Sequence, residues 1–449
     1  MNHKSVEPVR NSRSRSSSGG VRPGFRNTLI LSLLLVVVLI ALISRRGPPG
    51  GAVSSRGVTT QSPRPAPSGA SIPVEQAPSS ASLPANALTP APATPAGPVH
   101  AALIMPPATP QSREMVGRLS RLAQAGQQMT GEQISEWQEN RTKLLQMGRE
   151  AVPAIAEFLQ QSKDVDFGPE ARQALGFGSA RTAMFDALQQ IGGSEALGAV
   201  LQTLQTTADP KEIALLARNL AQLEPEQHQA EILSAVREAL NMAANKNLEG
   251  SDVGPLFEVL QKFGGAGAVS DLEQAAGQWK YYAAMALAQL PDGAGIPALA
   301  RMVQDPNGAS KGTRDAALQM IAQMASQYPD ARAALLEQVR SEKVAPNLWP
   351  YLTGPLAGEQ FQVQDSVFDS PTSLVNGSDL KTTHIAFGNQ NFISAPAANF
   401  TPEQITQQMA LIDELLAATS NPAALQALQQ ARSLLAKRNP QTASSEPPR

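Results

Sequence analysis

The chain has 449 residues, 42% of them hydrophobic, 4% aromatic and 16% charged, with 36 prolines, 33 glycines and no cysteine. The missing cysteines exclude a disulfide framework, a thiolate nucleophile, an iron–sulfur cluster and Cys-ligated zinc, and the four scattered histidines, His3, His100, His228 and His384, argue against a His-rich metal site. The net charge of −2 hides a split: residues 1–110 hold 10 Lys/Arg against Glu7 and Glu75, whereas the remainder holds 26 Lys/Arg against 36 Asp/Glu, a net of −10.

Residues 1–27 read as a basic disordered tail, and 28–44 as a transmembrane helix. Between Arg26 and Arg45 lie 18 residues without a charge, and Leu29, Leu35 and Ile43 belong to a run that is almost entirely Leu, Ile and Val. At about 1.5 Å per residue the run spans roughly 27 Å, close to the hydrocarbon thickness of a bilayer. Lys4, Arg10, Arg13, Arg15, Arg22 and Arg26 precede it and only Arg45, Arg46 and Arg56 follow closely, which predicts a cytoplasmic N-terminus with the body outside the cytoplasm. The competing reading, a cleaved secretory signal, fits poorly because the run ends in Ser44-Arg45-Arg46-Gly47-Pro48 rather than in a small-x-small cleavage site. The expected location is therefore the inner (cytoplasmic) membrane, crossed once, with a periplasmic or otherwise extracytoplasmic body; the Ala- and Gln-rich, Cys-free composition suggests a bacterial cell.

Residues 45–110 read as a disordered linker. The stretch 47–110 holds 15 prolines in 64 residues and cannot bury enough apolar surface to offset its ordering entropy. From about Arg113 to Ser341 the texture changes to Ala, Leu, Gln and Glu runs broken by Gly, Pro or Asn. The predicted helices fall in six pairs: 131–147 with 150–161, 179–191 with 194–206, 209–222 with 226–243, 252–263 with 265–276, 279–290 with 293–304, and 312–326 with 329–341. Ile213, Leu216, Leu220 and Leu223 form one stripe, and Ile232, Val236 and Leu240 another. Thr130 with Gln133 is a capping-box signal, and Asp209-Pro210 sets a side-chain acceptor before an N1 proline. Short connections make neighbouring helices antiparallel, and six successive hairpins suggest a stack.

Several second helices share a pattern: Gly148-Arg-Glu-Ala-Val-Pro-Ala-Ile, Gly193-Ser-Glu-Ala-Leu-Gly-Ala-Val, Gly267-Ala-Val-Ser-Asp-Leu and Gly295-Ile-Pro-Ala-Leu. A glycine closing one helix and small residues opening the next is the physical content. In Leu144-Leu-Gln-Met-Gly-Arg-Glu-Ala-Val-Pro-Ala-Ile-Ala-Glu-Phe-Leu159, and again in Ala283-Ala-Met-Ala-Leu-Ala-Gln-Leu290 with Ile296-Pro-Ala-Leu299, the chain resembles HEAT repeats. The resemblance covers about residues 130–345 and implies an all-α fold: a HEAT-like, armadillo-type α-solenoid of about six helix hairpins over 111–345, right-handed, whose concave face binds other proteins. Residues 346–400 read as an irregular segment packed on the repeats, because prolines and glycines break every run. Thr401-Pro-Glu-Gln404 and Asn421-Pro422 then start a helical hairpin over 401–438, and 439–449 reads as a disordered tail.

No phosphate-binding loop, H-E-x-x-H, G-x-S-x-G or EF-hand motif occurs. Asp164 and Asp166 are a weak cation candidate, and neither His228 nor His384 has a nearby Ser, Asp or Cys constellation that makes a nucleophile. Trp279, Tyr281 and Tyr282 concentrate three aromatics within four residues; they are the candidate partner surface, the alternative being a wedge between helices. The acidic body disfavours nucleic acid. The expected function is a membrane-anchored extracytoplasmic scaffold for a protein partner, not an enzyme and without a cofactor. The alternative is a cell-envelope enzyme or enzyme regulator whose site uses 346–400, and a self-associating envelope component is a third class.

Overall fold

The structure is a computed structural model that describes residues 105–122, 129–161, 164–248, 251–305, 307–368, 382–397 and 400–438. The expected basic tail, the anchor with Leu29, Leu35 and Ile43, the topology-setting Arg13, Arg15, Arg22 and Arg26, the linker as far as residue 104 and the 439–449 tail lie outside the described residues. Among the described residues no helix is long and apolar enough to cross a membrane.

The described residues are mostly helical. In order come α1 (Pro110–Leu122), α2 (Gly131–Gln146), α3 (Val152–Leu159), α4 (Gly168–Leu175), α5 (Ala180–Ile191), α6 (Gly193–Thr206), α7 (Pro210–Leu223), α8 (Gln229–Ala244) and α9 (Gly254–Phe263). They are followed by α10 (Val269–Ala275), α11 (Lys280–Ala288), α12 (Ile296–Gln304), α13 (Lys311–Met324), α14 (Pro329–Arg340) and α15 (Trp349–Leu356). Three strands, β1 (Glu359–Val363), β2 (Thr383–Phe387) and β3 (Gln390–Pro396), precede α16 (Pro402–Ala418) and α17 (Pro422–Arg438).

Helix starts follow local chemistry. Thr130 Oγ1 accepts from the Gln133 amide at 3.2 Å while Gln133 Oε1 accepts from the Thr130 amide at 2.8 Å, closing the box before α2. The Asp209 carboxylate takes the amides of Lys211 and Glu212, each at 2.9 Å, with Pro210 needing no partner at the first position. Thr401 and Gln404 repeat the box before α16. Inside α7 and α8 the expected stripes point inward: Ile213, Leu216, Leu220, Ile232, Val236 and Leu240 are all buried, with Leu223 packed at the margin.

Each helix touches its neighbour in sequence or the next but one. One line of contacts runs α5–α7–α9–α11–α13–α15–α17; a second runs α1–α3–α6–α8 and is resumed by α12–α14–α16. Buried alanines such as Ala183, Ala214, Ala217, Ala284, Ala316 and Ala317 let the axes approach closely. Helix α11 carries no polar stripe: Tyr282 through Ala288 are all buried, as a helix covered on every side requires.

Three expectations need correction. The linker does not extend to 110, because α1 begins at Pro110 and Ala108 before it is already buried. Helices α1 and α4 had no counterpart among the expected pairs; α4 has only eight residues, too few to display a helical period. Residues 346–400 are not irregular throughout, since they contain α15 and an antiparallel sheet of strand order β1-β3-β2. The five-residue β1 pairs with β3 from far away in the sequence, a partner that local reading of a short strand cannot supply, whereas β2 and β3 are joined by a tight turn. The β2–β3 turn at Gly388-Asn389, with Gly388 at φ 63°, is a hairpin signal that could have revealed two of the three.

Candidate functional site: the sheet and the cleft beside it

The sheet lies against one line of helices and is tied to it by side chains that replace missing backbone partners. In β1 the backbone of Phe361 faces away from β3. Its amide donates to Gln323 Oε1 of α13 at 3.4 Å, and its carbonyl accepts from Gln289 Nε2, just past α11, at 3.0 Å. These two glutamines occupy an edge that would otherwise present unpaired groups. In β3 the buried Gln390 Oε1 accepts from the amides of Tyr281 and Tyr282 at 2.9 and 3.1 Å, capping α11 from a point 109 residues away in sequence. The Tyr282 hydroxyl receives the Asn391 amide at 2.6 Å and donates to Asp252 Oδ1 at 2.7 Å. Burial, and then the hydrogen bond to Asp252, push its ionisation well above the ordinary tyrosine range.

For Trp279 and Tyr282 burial argues against the partner-surface expectation, whereas Tyr281 is half-buried. Trp279 is 3% exposed and packs edge-on to Phe257, Tyr282 is fully buried against the same ring, and Tyr281 stacks on Phe392 with centroids 4.8 Å apart. The cluster is a wedge joining α9, α11 and the sheet. Gly254 fits under it because any side chain there would meet Val363 Cγ1 at 2.7 Å. Among the described residues, the large apolar side chains that do reach solvent are Phe387, 44% exposed with the Lys280 ammonium 4.0 Å from its ring centre, and Tyr351, 64% exposed. Gly388 and Phe387 were signals of the hairpin that sequence reasoning passed over.

Beyond β1 the chain crosses to α7 and α9. The Arg218 guanidinium donates to the Val367 carbonyl at 3.0 Å, and Glu258 accepts the Val367 amide at 3.1 Å, so one residue is held from both sides. Phe368 then packs edge-on to Phe263. This clip opens a cleft of about 460 Å³ between the segment Gln362–Val367 and the helices α4, α5 and α7. The helix wall carries Arg172, Thr182, Asp186, Lys211, Leu215 and Arg218; the opposite wall carries Gln362, Gln364, Asp365 and Ile393. Lys211, Leu215 and Arg218 lie on one face of α7. The Asp186 carboxylate is bound by Arg141 and by Gln190, the latter at 2.7 Å, and Arg172 lies 3.7 Å from Asp166.

A buried ion pair fixes the helix wall. Arg181 of α5 binds Glu212 of α7 in bidentate fashion and donates to the Leu159 carbonyl of α3 at 2.6 Å, tying three helices. Burial alone would lower its ionisation, yet the hydrogen-bonded Glu212 prevails and raises it. The remaining candidates have structural duties. Asp164 Oδ1 accepts the amides of Val165 at 2.8 Å and Arg181 at 3.0 Å, and Asp166 Oδ1 accepts that of Gly168 at 2.7 Å. Among the described residues no three His, Asp or Glu side chains converge as metal ligands. His228 is packed between Glu224, at 2.9 Å, and Glu231, whereas His384 is exposed on β2.

Among known proteins, no family model matches the chain and no curated sequence is significantly similar to it.

Proposed function

We propose that the chain is a single-pass membrane-anchored scaffold whose HEAT-like, solenoid-type helical body stands outside the cytoplasm and binds a protein partner. The observation that carries this reading is the continuous line of next-but-one helix contacts from α5 to α17, the packing a linear array of hairpins requires. The uncharged run after Arg26 and the proline-rich stretch before α1 supply an anchor and a spacer in the sequence.

The alternative, an envelope enzyme or enzyme regulator, keeps one argument: the cleft is walled by residues 362–367, inside the segment it invokes. Protease added to intact spheroplasts tests the scaffold's placement. Digestion of the body with survival of a membrane-embedded N-terminal fragment is the expected result, and complete protection refutes the topology. Turnover of any small substrate that is abolished by changing cleft residues would favour the alternative.

A further inference from the structure

We infer that the cleft between α4, α5, α7 and the Gln362–Val367 segment receives an extended acidic peptide of the protein partner; this rests on the scaffold reading and adds the chemistry of what is bound. The charge inventory carries the argument. Five ionised side chains line the cleft: Arg172, Lys211 and Arg218 against Asp186 and Asp365. Asp186 is already taken by Arg141. Arg218 donates to the neutral Val367 carbonyl, with Glu258 on the amide of that residue, and among the described residues Lys211 makes no ion pair. Arg172 keeps only a long, solvent-exposed contact to Asp166 at 3.7 Å. Three cations thus line the cleft with two carboxylates, of which Asp186 already has Arg141, in a body whose net charge is −10. A locally reversed field inside a partly desolvated concavity concentrates anionic groups and repels the rest of an acidic surface.

Shape selects an extended peptide over a compact anion. Lys211 and Arg218 are seven residues apart on α7, about 10 Å along its axis. That matches two carboxylates about three residues apart in an extended chain. Leu215 between them and Ile393 opposite offer apolar contact for the intervening residues, and Gln364 lines the wall with an amide suited to a peptide backbone. Its volume of about 460 Å³ is that of a site for a few residues, not for a folded domain.

The test uses the full-length protein in nanodiscs and fluorescent peptides built on a repeated Glu-Ser-Gly unit, with Lys-Ser-Gly peptides of equal length as the contrast. Anisotropy is expected to show binding of the acidic peptide alone, weakening as salt rises. Lys211→Glu with Arg172→Glu, both surface changes, should lower affinity at least about tenfold, Asp365→Asn should raise it, and Arg301→Glu on the remote α12 should leave it unchanged. Equal binding of both peptides, indifference to the Lys211/Arg172 reversal, or displacement of the acidic peptide by a single-stranded oligonucleotide at lower concentration would overturn the assignment. Circular dichroism and thermal melting of each variant separate lost binding from lost fold. Failure here leaves the scaffold's placement standing, because protease accessibility tests that separately, and a protected body would leave the peptide measurement intact.

Discussion

Arg181 shows how much one side chain holds. Its guanidinium lies within the stack of α3, α5 and α7, matched by Glu212 and the Leu159 carbonyl, and Glu212 in turn accepts from the Thr207 hydroxyl at 2.7 Å. Removing the cation strands a carboxylate that is almost fully enclosed and leaves a carbonyl unsatisfied. Arg181→Ala is therefore expected to destabilise the body by about 3–5 kcal/mol, read as a lower urea midpoint. Arg181→Lys should recover only part of that, since an ammonium cannot make the bidentate contact. The glycines of the repeated pattern divide on similar local grounds. Gly148 and Gly193 have φ of 56° and 81°, and a Cβ at Gly295 would lie 2.1 Å from the Leu287 carbonyl oxygen, whereas Gly267 meets neither demand.

At the scale of elements, the sheet is the part of the molecule most dependent on side-chain surrogates for backbone pairing. Helix α11 has no cap of its own, and Gln390 supplies one from β3. Truncation to Gln390→Ala leaves one buried and one half-buried amide of α11 without an acceptor, and a cost of about 1–3 kcal/mol is expected. The distinguishing readout is hydrogen exchange: protection should fall at Tyr281 and Tyr282 and in the β2–β3 hairpin together, with α1 to α3 unchanged. Exchange that rises uniformly would show that Gln390 does not couple the two elements specifically. Arg438 performs a comparable service at the other end of the sheet, donating to the carbonyls of Ala357, Gly358 and Ala397 while its guanidinium lies 4.8 Å from the Phe400 ring centre. Burial there lowers its ionisation.

For the whole molecule, ionisation sets the pH window of stability. The carboxyls of Glu139 and Glu157 are held below the ordinary value near 4.5, first by hydrogen bonds to Lys143 and Arg113. Asp305 is held below its ordinary value of 3.8 by the amides of Asn307 and Gly308. Depressed folded values mean that this stabilisation is present above the unfolded pKa and is lost as pH falls through the folded one. Tyr281 and Tyr282 work in the opposite direction: burial raises both above 10.0, so their contribution is complete below that pH and is lost above it. The melting temperature should consequently be flat from about pH 5 to 9.5. It should fall gently and salt-dependently on the acid side, where the pairs are exposed, and steeply on the alkaline side. Tyr282→Phe should flatten the alkaline fall, and an unchanged alkaline limb would show that this hydroxyl does not govern it.

Apart from the eight-residue α4, the helices from Gly131 to Arg340 were legible because their information is local. A cap such as Asp209, the Ile213–Leu216–Leu220 stripe and a closing glycine each act within a few residues, so the predicted pairs coincide with helices α2–α3 and α5–α14 to within a few residues. The charge asymmetry and the apolar run after Arg26 are likewise properties of the residues themselves. What only the tertiary structure decided depends on partners far away in the chain. The sheet exists because Gln289, Gln323 and Tyr282 meet β1 and β3 across 38 to 109 residues. Trp279 and Tyr282 are interior because Phe257 and the sheet cover them, a fact invisible in four adjacent aromatic and basic residues. The cleft forms where Val367 reaches Arg218 across 149 residues. Local periodicity and capping specify helices, whereas strand pairing, burial of an aromatic cluster and the charge balance of a cleft are set by which distant surfaces the folded chain brings into contact.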